Sequence, residues 1–120
     1  LEDIKKSLYP EYRVFTIVEK MPQFVEGDDT YEPVKKWIGE NLVYPEEARK
    51  KGIQGRVFVS FVVSRTGEIK NIQIVRGVDP ILDKCVLKLI QAMPKWTHPG
   101  YQDGVAVNVQ FTFPVAFRLD

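Results

Sequence analysis

The chain offers few side chains able to do covalent chemistry. Its single cysteine, Cys85, and its single histidine, His98, stand alone. They cannot build a typical zinc site without several carboxylates. One cysteine also excludes an internal disulfide and says little about redox compartment. There is no glycine-rich phosphate loop, no HExxH and no GxSxG. With no acid–base or nucleophile constellation visible, no catalytic, metal or cofactor-binding residue is assigned. What the sequence does supply is backbone hydrogen-bonding capacity. From Val105 to Phe117 every odd position is apolar: Val105, Val107, Val109, Phe111, Phe113, Val115 and Phe117. Between them lie Ala106, Asn108, Gln110, Thr112, Pro114 and Ala116. This is the period of a strand with one apolar and one mild face. A long strand that joins its sheet last can lie at an edge, where unpaired N–H and C=O groups can take up a foreign strand. The chemistry on offer is recognition.

Composition sets the frame. A length of 120 residues with 44% apolar content suits one domain with one core. A net charge of +1, with the charges interspersed, argues against a nucleic-acid groove. No stretch approaches the ~20 apolar residues that span a bilayer, and no signal peptide is visible. The sequence starts at Leu1, so it reads as an excised soluble fragment whose anchor or secretion signal would lie outside it.

Residues 1–13 read as a flexible lead or linker and 14–120 as a single domain. Residues 14–18 are β-branched and aromatic, which predicts a short strand ended by Met21-Pro22. Asp29 or Thr30 can cap a helix that carries Pro33 in its first turn and Val34, Trp37, Ile38 and Leu42 at helical spacing. A second short helix is expected over 45–51, with Pro45 first, Glu46 and Glu47 at its positive end and Gly52 at its C-cap. Residues 56–63 and 68–75 predict a hairpin around residues 64–67, in which Gly67 can take positive φ. Asp79 and Pro80 open a third helix whose stripe is Leu82, Cys85, Val86, Leu89, Ile90 and Met93. Residues 95–104 read as a loop, and the long strand follows.

Strand, strand, helix, strand is the order from residue 56. The hairpin makes the first two strands antiparallel. A right-handed helical crossover then lets the third pair antiparallel with the first, in the order second–first–third. The expected fold is therefore α+β: an antiparallel sheet of three or four strands with helices on one face. The last strand falls at an edge unless residues 14–18 cover it, and Pro114 suits an edge. The outer face would carry Asn108, Gln110 and Thr112, but also Phe58 and Val62, which calls for a cover: the N-terminal strand, a second copy or a partner.

These residues carry a family resemblance. Tyr44-Pro45-Glu46-Glu47-Ala48-Arg49, Gln54-Gly55-Arg56-Val57-Phe58-Val59, Thr66-Gly67-Glu68-Ile69, Met93-Pro94-Lys95-Trp96 with Pro99-Gly100, and Val107-Asn108-Val109-Gln110-Phe111 resemble the C-terminal domain of TonB over residues 41–118. Val18-Glu19-Lys20-Met21-Pro22-Gln23-Phe24 is similar to the extra N-terminal piece of the Bacteroidetes-type branch. The resemblance implies a periplasmic domain of an inner-membrane-anchored transducer. Such a protein passes proton-motive energy from the ExbB–ExbD complex to outer-membrane transporters. It implies no catalysis and no cofactor. It implies that the domain grips a transporter's TonB box by strand addition to its last strand. Carried over by position, the contacts are Val107, Asn108, Val109, Gln110, Phe111, Thr112 and Phe113, with Val43, Tyr44 and Pro45 nearby. Better-known members have a polar, Gln-rich stretch before Tyr-Pro; here it is Asn41-Leu42-Val43.

Plainer roles stand beside these. Cys85 reads as a buried free thiol, His98 as a surface histidine and Trp96 as a core plug. Tyr44-Pro45 serves either as a turn and cap or as a partner contact. Two further readings remain open for the whole chain: the docking or sensing domain of a membrane-bound sensor metallopeptidase, and a structural homodimer joined at edge strands.

Overall fold

A computed structural model of the chain describes residues 9–27 and 30–119. Its elements are β1 (Val14–Phe15), α1 (Glu32–Asn41), α2 (Glu46–Lys50), β2 (Gly55–Val63), β3 (Ile69–Arg76), α3 (Pro80–Gln91), β4 (Gly100–Gln102) and β5 (Val105–Phe117). The sheet runs β1-β5-β2-β3, with β4 paired to β5. Its three long strands are antiparallel in the expected order, while β1 joins β5 in parallel.

Local chemistry explains most boundaries. The Asp79 carboxylate accepts from the Ile81 N–H at 2.9 Å, and Pro80 opens α3; such a cap contributes ~1 kcal/mol. Gly52, at φ 70°, closes α2 as its N–H reaches the Arg49 carbonyl. Pro45 sits one step earlier than expected, as the N-cap of α2 with extended backbone. The N-cap of α1 is Tyr31, which makes no side-chain capping bond, so Thr30 does not fill that role; Asp29 lies outside the described residues. Gly67 takes φ 85°, and a Cβ there would meet the Trp96 carbonyl at 2.6 Å. The Trp96 N–H donates to the Gly67 carbonyl at 2.9 Å, which fastens the β2–β3 hairpin to the loop after α3.

The core lies between the helices and one sheet face. The odd residues of β5 meet Val57, Val59, Phe61 and Val63 of β2 and Leu82, Val86, Leu89 and Ile90 of α3, all buried. Trp96 is indeed a core plug, 2% exposed and stacked on Phe111 at 5.2 Å. Phe61 stacks on Phe113 at 5.7 Å; each such aromatic pair adds ~0.5–1.5 kcal/mol to area burial. On the outer face Val62 is buried within the single chain. It lies between Lys70 of β3 and Gln110 of β5 in the register, whose long stems can cover it.

Two readings of the sequence need correction. Residues 9–13 are tied to the sheet: the Tyr9 hydroxyl donates to Asp103, and Arg65 Nη2 donates to the Tyr9 carbonyl at 3.0 Å. Residues 1–8 lie outside the described part. The presumed loop before the last strand contains β4, because Asp103 (φ 53°) and Gly104 (φ 74°) make the two-residue type I′ turn that Asp-Gly favours.

Candidate functional site

The hairpin register decides which backbone groups of β5 face outward. Across a two-residue turn the flanking residues exchange hydrogen bonds, here Gln102 and Val105. Alternation then points the N–H and C=O groups of Val105 and Val107 at β4. Beyond them, the Ser64 N–H donates to the Glu68 carbonyl across the β2–β3 hairpin, so the Val63 carbonyl, on the opposite side of the same planar peptide, points at its register partner Val109. The pairing of β5 with β2 runs from Val109↔Val63 to Phe117↔Gly55 without a shift, so Val109, Phe111, Phe113, Val115 and Phe117 bond to β2, and β4 lies on that same side of β5. The even residues face outward. Pro114, opposite Phe58, is among them; the N–H it lacks removes no bond to β2, as suits an edge strand, and leaves one gap in the outward row of donors.

The outer side of β5 is taken at one point: Asn108 and Val109 pair with Val14 and Phe15. Among the described residues no strand pairs with the outer side of residues 110–117. The structure thus takes three of the expected contact residues into internal pairing, Asn108 and Val109 with β1 on this edge and Val107 with Gly100 of β4 on the β2 side. Gln110, Phe111, Thr112 and Phe113 lie on the open stretch. Pro114 and Ala116 share it and were absent from the expected set; the same alternation, followed to the end of the strand, would have included them.

Asn108 has a different task. It is 8% exposed although its position alternates with exposed Gln110 and Thr112. Its Oδ1 accepts from the Arg65 N–H at 3.0 Å. Its Nδ2 donates to the carbonyls of Glu11 at 2.6 Å and Arg13 at 3.1 Å.

The Tyr44-Pro45 corner splits. The Tyr44 ring packs edge-on against Phe117 at 5.4 Å, lies under the Arg49 guanidinium, and its hydroxyl donates to the Ile53 carbonyl. These contacts make it a fastener between the α1–α2 linker and the end of β5. Val43 is 74% exposed, and its carbonyl faces the Cys85 thiol of α3. Tyr31 packs against Phe111 at 6.0 Å and Phe113 at 5.9 Å and is itself 46% exposed. It margins the open stretch on the helix side, a role that nothing in its sequence context signals.

The three long strands carry few charges, and two of those lie on β3, the far strand. β2, β3 and β5 contain no Asp or Glu, while Arg56, Lys70 and Arg76 are their charged residues. An incoming strand meets no carboxylate on the sheet. Cys85 is free and half-buried. Burial pushes its thiol up, against a smaller pull from Lys88, and its S–H points at the Val43 carbonyl at 3.3 Å. A protonated, engaged thiol is a poor nucleophile. His98 Nε2 lies 3.8 Å from a Glu26 carboxylate oxygen at the surface. Among the described residues no three His, Cys, Asp or Glu side chains are grouped to hold a metal, and no helix is long and apolar enough to cross a membrane.

The fold is a small α+β domain whose sheet leaves residues 110–117 without a described neighbour strand on one side, and comparison with known proteins places it. Residues 40–119 match the family described as Gram-negative bacterial TonB protein C-terminal; the chain belongs to this family. Protein TonB of Pseudomonas aeruginosa is 35% identical over 80 residues, covering 65% of this chain and 22% of that protein. The chain therefore spans about a fifth of the length of that relative. Two solution structures of the Helicobacter pylori TonB C-terminal domain share the fold. Residues 179–285 of that protein give a TM-score of 0.62 at 24% identity, over 81% of this chain and 89% of the other. Its residues 194–285 give 0.56 at 24% identity, over 77% and 96%.

Proposed function

We propose that this domain is the gripping end of a TonB-type energy transducer, working in the periplasm. It takes up the TonB box of an outer-membrane transporter as an added strand. An upstream part of the protein anchors it in the inner membrane and links it to ExbB–ExbD. The observation that carries the reading is the open outer side of residues 110–117, where Gln110, Thr112 and Ala116 direct their backbone groups outward while the odd side chains between them are buried. Strand addition draws on backbone bonds worth ~0.5–1.5 kcal/mol each, against chain ordering of ~1–2 kcal/mol per residue. The net affinity is then modest, around micromolar or roughly −8 kcal/mol, which suits a link that must form and release. Titrating a synthetic TonB-box peptide into the labelled domain should shift the amide signals of Gln110, Thr112 and Ala116 and spare those of Gly100–Gln102. Shifts confined to other elements overturn the reading. Loss of the same signals with rising protein concentration alone would point to edge-to-edge dimers.

A further inference from the structure

The outer side of β5 changes hands next to Asn108. At Asn108 and Val109 the edge is filled by β1; past Val109 no described strand pairs with it. We propose that residues 9–15 form a fixed stop that sets the register of the strand accepted on residues 110–117, and that Asn108 is the positioning residue that holds this stop. The proposal rests on the strand-addition reading and adds to it what selects one alignment of partner and edge.

The bare stretch sets no end for an added strand. Slipping that strand by two residues keeps every side chain on its own face. The outward backbone groups recur at Gln110, Thr112, Pro114 and Ala116; the one donor that Pro114 lacks marks a position in the row but gives it no terminus. The outer-face side chains, Gln110, Thr112, Pro114 and Ala116, carry no charge. A physical end does select, and residues 9–15 supply one. β1 runs beside Asn108 and Val109 and stops there. Its approach is fixed by several contacts that converge from different elements. Asn108 Nδ2 binds the Glu11 and Arg13 carbonyls, and Arg65, in the β2–β3 hairpin, holds the Tyr9 carbonyl. The Tyr9 hydroxyl holds Asp103 in the β4–β5 turn. Tyr9 meets Phe15 edge-on at 5.3 Å, and the Arg13 guanidinium sits over Phe15 at 4.4 Å. Asn108 is the hub, because its other end is pinned by the Arg65 N–H. Its burial at a position whose neighbours Gln110 and Thr112 are exposed is the mark of that role.

The test places a paramagnetic label at one end of a synthetic TonB-box peptide and reads line broadening along β5. The native chain should give one broadening profile. Asn108→Ala should give a second, displaced by two residues or about 6.7 Å along the strand, with faster amide exchange at Val14 and Phe15. Arg65→Ala combined with Tyr9→Phe releases the same segment without touching β5 and should produce the same second profile, which covers the case of an Asn108 variant that does not fold. A single unchanged profile in a variant whose Val14 and Phe15 amides have loosened overturns the stop. Two profiles in the native chain overturn it as well. Absence of any broadening or shift in the native chain removes both the stop and the strand-addition reading, whereas the first two results leave strand addition standing.

Discussion

The two halves of β5 share one core face and differ at their outer edge. Near residues 105–109 that edge is taken by β1, which pairs with Asn108 and Val109; among the described residues no strand pairs with the edge of residues 110–117. In both halves the odd side chains are buried, so packing does not distinguish them. Burial of side chains and saturation of backbone groups are separate properties of a strand. A segment can be immobilised from one face and still keep its hydrogen-bonding edge for another molecule. That combination suits a grip: the edge is preorganised, so the binding entropy cost falls mainly on the partner.

Substitutions can break or sharpen this comparison. The largest effect is expected from Phe113→Ala in the open half. Phe113 is 2% exposed and stacked on Phe61, so its loss should cost ~3–5 kcal/mol in denaturant unfolding. A cost under ~1 kcal/mol would show that the open half is not held by the core. Asn108→Ala should cost ~1–3 kcal/mol, since it strands the Arg65 N–H and two carbonyls. Gly104→Ala, at φ 74°, should cost ~1 kcal/mol by straining the turn that pairs β4 with β5. Thr112→Ala, exposed in the open half, should stay within ~0.5 kcal/mol; a loss equal to that of Asn108→Ala would erase the proposed difference between the halves.

The smallest effect is optical. Donation to Asp103 holds the Tyr9 phenol above its usual range. That anchor is fully present below the ordinary phenol pKa of about 10 and is lost as pH rises through the higher value in the folded chain. Phenolate absorbance should show a late-titrating tyrosine that disappears in Tyr9→Phe.

Much of this was legible in the sequence because period and punctuation agreed. The limits of β5 follow from strict alternation, the start of α3 from Asp79-Pro80, and the strand order from the hairpin and crossover. The Asp-Gly at 103–104 was equally legible, but a loop rich in Trp, His and Pro concealed the short strand before it. The tethering of residues 9–13 was not legible. It depends on the Tyr9 hydroxyl meeting the Asp103 carboxylate across 94 residues of sequence, and on Asn108 meeting Glu11 and Arg13 through main-chain carbonyls that every residue owns. The open site was half legible for the same reason. Alternation names the strand, but only the path of β1 decides where its edge is bare. Tyr31 as a margin of the site had no signal at all.

The pairing of β2 with β5 has a consequence for how the domain is made. β2 is the central strand, apolar at nearly every position from Val57 to Val63, and its register partner for Gly55 is Phe117, close to the end of the chain. At ~5–20 residues per second of synthesis, one side of β2 stays bare for several seconds after β3 has closed the other. Such a naked, flat, greasy ladder is a template for aggregation. The nascent chain therefore needs either a chaperone or a low local concentration over that interval. Shortening β5 should lower soluble yield before it lowers the melting temperature of whatever survives.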